Sequence, residues 1–436
     1  MYNLLIRNAR IAQSDGSILE GDLACEDGKI ARIDRAIGAA ARETIDAAGK
    51  LLLPGVIDPQ VHFREPGKEY KEDIGSGSRA AVRGGVTSFL EMPNTDPPTS
   101  TQAALDEKLA RAAQKSVANY GFFIGATPDN LEVLNTATPA CGIKIFMGSS
   151  TGSLLVNRRE DLERIFANGS RLIAVHAEDE ARINARRAQF AGRNDPAVHS
   201  EIRDNECARL ATELALSLSK KYRRRLHILH LSTKEEVAML RADKPSWVTA
   251  EVIPNHLLLN TGDYAEHGTL VQMNPPIRTP EDNAALWAGL HDGIIDLIAT
   301  DHAPHTLEEK AQGYPKAPSG MPGVETSLPL MLTAMKEGRC TLAEIQKWMC
   351  AGPAAAYRIP NKGRILEGWD ADLTLVDLEN AKPVRNEETF TKVRWSPWHG
   401  RELYGWPLYT IVNGDIAFDN GRIREQVRGR PLTYLA

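Results

Sequence analysis

Residues 142–148 read Gly-Ile-Lys-Ile-Phe-Met-Gly, an apolar, β-branched run broken by a single lysine. Strand alternation puts Ile143 and Ile145 on one face and Lys144 on the other. A short run this apolar, bounded by glycines, fits a strand covered on both sides, as in a parallel sheet sheathed by helices. An unpaired ammonium in such a place is costly, and burial lowers its pKa. Two readings of Lys144 follow. Either it pairs with a carboxylate such as Asp301 or Glu178, or it stays neutral and takes up carbon dioxide to become an anionic carbamate with two oxygens able to bridge cations.

Seven further runs of the same kind flank it: 55–63 (GVIDPQVHF), 86–93, 119–126, 171–179 (RLIAVHAED), 225–232 (RLHILHLS), 247–256 and 294–304 (IIDLIATDHAP). Amphipathic stretches such as 101–114, 201–221 and 233–242 fill most gaps between them. Eight strands alternating with helices predict an α/β fold, a (β/α)8 TIM barrel, whose chemistry sits at the C-terminal strand ends. The chain ends read differently. Residues 4–11 and 29–34, then 370–378 and 409–423 with Asn413-Gly414 and Asn420-Gly421, predict strands and hairpin turns. We therefore expect a barrel over 55–362, and a small β-sandwich domain built jointly by 1–54 and 363–436.

Composition sets outer limits. The chain has 436 residues, 42% hydrophobic and 25% charged, with a net charge of −5. That balance offers no basic face for nucleic acid. No apolar run approaches the roughly 20 residues of a membrane span, and the N-terminus lacks the layout of a secretory signal. Five cysteines with no CxxC pair argue for a reducing, cytoplasmic setting.

The strand ends carry the chemistry. Gln60 and His62 close the first strand, Lys144 lies on the fourth, His176 on the fifth, His230 on the sixth and Asp301 on the eighth. One histidine on an apolar strand is commonly a packed core residue; five groups on five strands converging on one rim are not explained by packing. His227 and His230 are three positions apart, so alternation allows only one of them to face inward. His230, nearer the strand end, is taken as the ligand and His227 as packing beneath the helices. His302 faces away from Asp301 and reads as structural support. His199, His267, His291 and His399 read as solvated surface.

Together these motifs resemble a known family. Asp58-Pro-Gln-Val-His-Phe-Arg-Glu-Pro-Gly67, Met92-Pro-Asn-Thr95, Lys144-Ile-Phe-Met147, His176-Ala-Glu178, His230-Leu-Ser232, Asn274-Pro-Pro276 and Thr300-Asp-His-Ala-Pro-His305 are similar to the dihydroorotases of the amidohydrolase superfamily. The resemblance extends into Gly368–Asp377, which looks like that superfamily's return strand. It implies a carbamylated Lys144 bridging zinc ions, one or two per chain. His176 and His230 would hold one ion, His62 and Asp301 the other. Asp301 would act as general base toward a hydroxide and then as general acid toward the departing nitrogen. The substrates implied are L-dihydroorotate and N-carbamoyl-L-aspartate. Arg64, Asn94 and His305 would bind the ring carboxylate, and Asn274 with the Gly320–Gly323 loop would contact the ring. A homodimer and association with aspartate transcarbamoylase are also implied by the family.

The chain departs from this pattern at Gln60, where the family carries the first histidine of a His-x-His motif. An amide oxygen is a weaker zinc ligand than imidazole. Two other readings accompany the first: a related cyclic amidase (allantoinase or hydantoinase), or a non-catalytic barrel kept as a partner of aspartate transcarbamoylase. The Gly/Pro-rich segment 312–323 is a candidate lid.

Overall fold

Ile143–Phe146 forms a strand whose Ile143 and Ile145 pack outward while Lys144 points inward, and the rest of the barrel repeats this arrangement. The structure, a computed structural model, describes residues 1–150 and 153–435. Around the barrel run Val56–Val61, Val86–Glu91, a third strand interrupted at Phe123 (Asn119–Phe122 and Ile124–Gly125), Ile143–Phe146, Ile173–His176, Leu226–Ile228, Val248–Val252 and Leu297–Ile298. Each pairs in parallel with the next. The ring closes where Val61 bridges His302 and the His62 N–H donates to the His302 carbonyl at 2.7 Å. These strands match the eight expected.

Alternation sorts the barrel into two cores. Ile143, Ile145, Ile173, Val175, Leu226, Ile228, Val248 and Ala250 face the helices, whose Leu216, Val237 and Leu240 join the same cluster. Ile57, Leu90, Ala174, Leu297 and Ala299 fill the interior, which Tyr357 and Leu432 close from below. Several helices following the strands open on capping boxes, for example Thr233 with Glu236 and Thr279 with Asp282. In each, the cap hydroxyl and the acid three residues on satisfy one another's backbone N–H groups.

The two chain ends meet in one nine-stranded sheet. Leu51–Pro54, from the N-terminal part, pairs antiparallel with Leu373–Asp377, from the C-terminal part. The first strand, Tyr2–Ala12, changes partner along its length. Residues 2–7 pair with Ala41–Asp46 and residues 10–11 with Leu51–Pro54, on either side of Asn8 at φ 53°. All five cysteines are free and buried. Among the described residues no helix is long and apolar enough to cross a membrane.

Candidate active site

The expected residues assemble at the C-terminal rim, all of them buried except Asn274, which is partly exposed. His176, on the last residue of its strand, donates from Nε2 to Glu178 Oε2 at 3.0 Å. Its Nδ1 lone pair is thereby turned on His230 Nε2, 3.1 Å away. Nδ1 of His230 is buried and without a partner. Burial pushes both imidazoles down, so both are neutral and offer lone pairs. Burial would raise the Glu178 carboxyl, but Arg203 and His176 outweigh it and hold it down at about 2. An ionised carboxylate behind an imidazole fixes its tautomer, the usual arrangement behind a metal-binding histidine.

Across the rim, His62 Nδ1 meets Asn94 Oδ1 at 2.7 Å. An amide oxygen only accepts, so Nδ1 carries the proton and the Nε2 lone pair faces Oδ1 of Asp301 at 3.0 Å. Two acceptors at that distance are favourable only with a proton or a cation between them. Gln60 donates from Nε2 to the same Asp301 oxygen at 3.0 Å, while its Oε1 is buried and unpartnered.

Lys144 acts electrostatically on both pairs. Its charge bears on His62, His176 and His230, and Asp301 and Glu251 bear on it. Its Nζ is buried with no hydrogen-bond partner, 4.6 Å from the Phe146 ring centroid, and burial brings its pKa down to about 7. It is therefore not engaged by Asp301 or Glu178 as an ion pair. Among the described residues no three His, Cys, Asp or Glu donors close on one point. The donors come as the two pairs, with the amine as the fifth group.

Arg64, His305 and Asn94 stand beside His62. Lys71 donates to His305 Nδ1 at 2.8 Å, and His305 Nε2 donates to the Ser319 carbonyl at 3.1 Å. Arg64 Nη2 is 3.2 Å from that same Nε2, so two donors stand side by side. Burial lowers Arg64 to about 10 and His305 to about 3, which leaves a charged guanidinium beside a neutral ring at neutral pH. Gly320, at φ 141°, lets its loop press on His305; a Cβ there would meet the Ala303 carbonyl at 2.4 Å. Lys310 donates to the carbonyls of Gln272, Pro318 and Gly320, each at 3.0 Å, so the end of the 312–323 segment nearest the site is a pinned wall.

Three site residues, Arg64 (φ 63°), His230 (φ 38°) and Asp301 (φ 49°), hold left-handed backbone. Such conformations cost about 1–3 kcal/mol each and persist where the surroundings impose them. The turn at His230 overturns one expectation. Regular strand ends at Ile228, so His230 escapes strict alternation, and His227 also lies inside the barrel. It is fully buried, bonded to Thr249 Oγ1 at 2.7 Å and Glu251 Oε2 at 2.9 Å, rather than packed beneath the helices.

His199 is likewise not on the surface. It is buried, and its Nε2 donates to the Met273 carbonyl at 3.0 Å and to Asn274 Oδ1 at 2.8 Å. His302 is structural as expected, accepting on Nδ1 from the Gly323 N–H at 3.0 Å. Glu251, Arg203 and Lys71 carry no signal in the sequence. Each is one acid or base among many until the fold sets Glu251 against His227, Arg203 against Glu178 and Lys71 against His305.

Comparison with known proteins places this geometry in a lineage. The amidohydrolase family model matches residues 51–417. A dihydroorotase of Methanosarcina mazei is 36% identical, covering 99% of this chain and 96% of its own. One of Halobacterium salinarum is 38% identical, with 96% and 97% covered. Among solved structures, an L-hydantoinase (dihydropyrimidinase) from Arthrobacter aurescens superposes with a TM-score of 0.94 at 32% identity, over 99% of this chain and all of that one. A dihydropyrimidinase from Brevibacillus agri gives 0.91 at 25%, over the whole of both chains. With a barrel rim of this composition and full-length relatives of this similarity, the chain belongs to the amidohydrolase family.

Proposed function

We propose that the chain is a dihydroorotase, interconverting L-dihydroorotate and N-carbamoyl-L-aspartate. The observation that carries the reading is the buried Arg64, set with His305 and Asn94 beside the His62–Asp301 pair. Among the described residues no carboxylate is bonded to this buried guanidinium, which suits it to a substrate carboxylate, and dihydroorotate carries one on the carbon next to its ring nitrogen. The name shared by the curated relatives supports the same substrate. Asn274, its Oδ1 occupied by His199, keeps its amide N–H groups for the ring.

The residues fit zinc. The His176 Nδ1 lone pair faces His230 Nε2, the His62 Nε2 lone pair faces the Asp301 carboxylate, and the unpartnered Lys144 amine bears on both pairs. His176, His230, His62, Asp301 and a carbamylated Lys144 are the groups that would hold it, and Gln60 contributes weakly if at all. Bound zinc supplies a polarised carbonyl and water of lowered pKa. With its pKa near 7, Lys144 is available as a free amine that would take up carbon dioxide, releasing one proton, and the carbamate would supply anionic oxygens to the metal. Asp301 holds the proton between the attacking oxygen and the departing nitrogen, with Gln60 and His62 fixing its orientation. We also read residues 55–362 as the catalytic barrel and 1–54 with 363–436 as its companion domain, supported by the sheet the two ends share.

The structural likeness to hydantoinases favours a second reading, a cyclic amidase for rings without a carboxylate. One assay separates them: ring opening followed by absorbance on dihydroorotate, dihydrouracil and hydantoin. Preference for dihydroorotate supports the proposal, and preference for either uncharged ring overturns it. No turnover of any, with zinc supplied, identifies a non-catalytic barrel.

A further inference from the structure

The loop that joins the first barrel strand to the helix Ile74–Arg83 carries Lys71, which is 5% exposed. Its neighbour Glu72 pins this loop. Glu72 is fully buried and accepts from the Ser76 and Thr391 hydroxyls and from the Lys392 N–H at 3.2 Å. From there Lys71 Nζ reaches two groups, Nδ1 of His305 at 2.8 Å and Oε1 of Glu309 at 2.9 Å. Tyr70, largely exposed, donates to the same Glu309 oxygen at 2.8 Å.

A neutral imidazole has one ring proton, and here two acceptors compete for it. On Nε2 the proton meets the Ser319 carbonyl at 3.1 Å. On Nδ1 it would face Oε2 of Glu309, which lies 3.6 Å away. A carboxylate is the stronger acceptor of the two, so without Lys71 the proton belongs on Nδ1. Burial lowers the Lys71 pKa, but the bond to Glu309 works against loss of its proton. An ammonium only donates. It therefore occupies the Nδ1 lone pair and sends the ring proton to Nε2.

That choice decides what Arg64 does, because its Nη2 is 3.2 Å from Nε2 of His305. A lone pair on Nε2 would accept from Nη2 and tie the guanidinium to the ring. A proton on Nε2 removes that acceptor and keeps the donor for a substrate oxygen. We infer that Lys71 is a positioning residue for substrate choice: by capping Nδ1 of His305 it stops Arg64 from bonding to the imidazole, and so favours a ring that carries a carboxylate. This rests on the dihydroorotase reading. Trp395 holds the same histidine in another way, donating from Nε1 to its main-chain carbonyl at 2.7 Å, and does not bear on the ring proton.

Nitrogen NMR of the substrate-free full chain carrying isotope-labelled histidine reads the tautomer, with His305→Asn assigning the signal. The unaltered protein should hold the proton on Nε2, and Lys71→Met should move it to Nδ1. Trp395→Phe should leave it on Nε2, which separates a change of tautomer from a general loosening of the loop. In ring-opening kinetics, Lys71→Met should raise KM for dihydroorotate by about tenfold, with a smaller change in kcat. Adding Glu309→Gln to Lys71→Met should recover part of that loss. The amide can still accept from the Thr306 N–H, as Glu309 does at 3.1 Å, but it draws the ring proton less than a carboxylate. The inference is overturned if the unaltered chain carries the proton on Nδ1, a result that needs no variant to fold. It is equally overturned if Lys71→Met keeps the proton on Nε2, or if the double variant binds dihydroorotate more weakly than the single one. Since the tautomer is read without substrate, failure here is distinct from failure of the dihydroorotase reading, which a preference for an uncharged ring would show.

Discussion

Gln60 donates from Nε2 to Oδ1 of Asp301 at 3.0 Å, the oxygen that also meets His62 Nε2 at 3.0 Å. The glutamine thus presents a proton, not a lone pair, to the pair of groups proposed to hold the second zinc. For Oε1 to serve as a ligand the amide must turn over and give up that bond. We expect dialysed protein to retain zinc firmly at His176 and His230 and loosely at His62 and Asp301. One poorer ligand costs a few kcal/mol, and each ~1.4 kcal/mol is tenfold in affinity. Gln60→His should raise zinc, measured by atomic emission, toward two per chain. Two firmly held ions in the unaltered protein, with no change in the variant, would contradict the weak-site assignment.

Lys144→Ala should lose both metal and ring-opening activity. Short carboxylic acids added to the variant should restore part of each, because their oxygens can replace those of the carbamate. Removing bicarbonate from the unaltered apoprotein should slow its reactivation by zinc. Reactivation at the same rate with and without bicarbonate counts against the carbamate.

Arg64→Met removes the buried charge proposed for the substrate carboxylate. Truncating one partner of a buried charge pair costs about 2–5 kcal/mol, so kcat/KM for dihydroorotate should fall by about thirtyfold or more. Any activity on dihydrouracil, which has no carboxylate to lose, should remain. Dihydroorotate turnover within a factor of two of the unaltered enzyme would remove Arg64 from the site.

His199 sets an acid limit on stability. Burial, with Arg203 nearby, lowers its pKa from 6.5 to about 4 in the folded chain. Between those values the unfolded chain binds the proton and the folded chain does not, so stability falls as pH drops from 6.5 toward 4. At about 1.4 kcal/mol per unit, the loss from this group is on the order of 3 kcal/mol. His256, also held at about 4 by burial, acts in the same direction. Urea unfolding of His199→Gln at pH 7 and pH 5 should show a smaller difference than the unaltered chain. An equal difference would show that His199 titrates normally.

The eight strands, their order and the identity of the rim groups were legible in the sequence. These are local properties: Ile143-Lys144-Ile145 alternates over three residues, and a polar residue closing an apolar run announces a strand end wherever the run is folded. The meeting of the two chain ends in one sheet was legible too, because both ends share strand patterning and turn signals. Tertiary structure decided what depended on distant partners or on broken regularity. His227 faces the barrel interior by ordinary alternation with Leu226 and Ile228, and the left-handed φ at His230 lets that residue face inward as well, which alternation along the sequence did not allow. His199 looked like a surface residue until Met273 and Asn274, over seventy positions away, covered it. The orientation of the Gln60 amide was set by Asp301, 241 residues on. Periodicity is written along the chain, whereas burial, tautomer and charge clustering belong to the surroundings that the fold assembles.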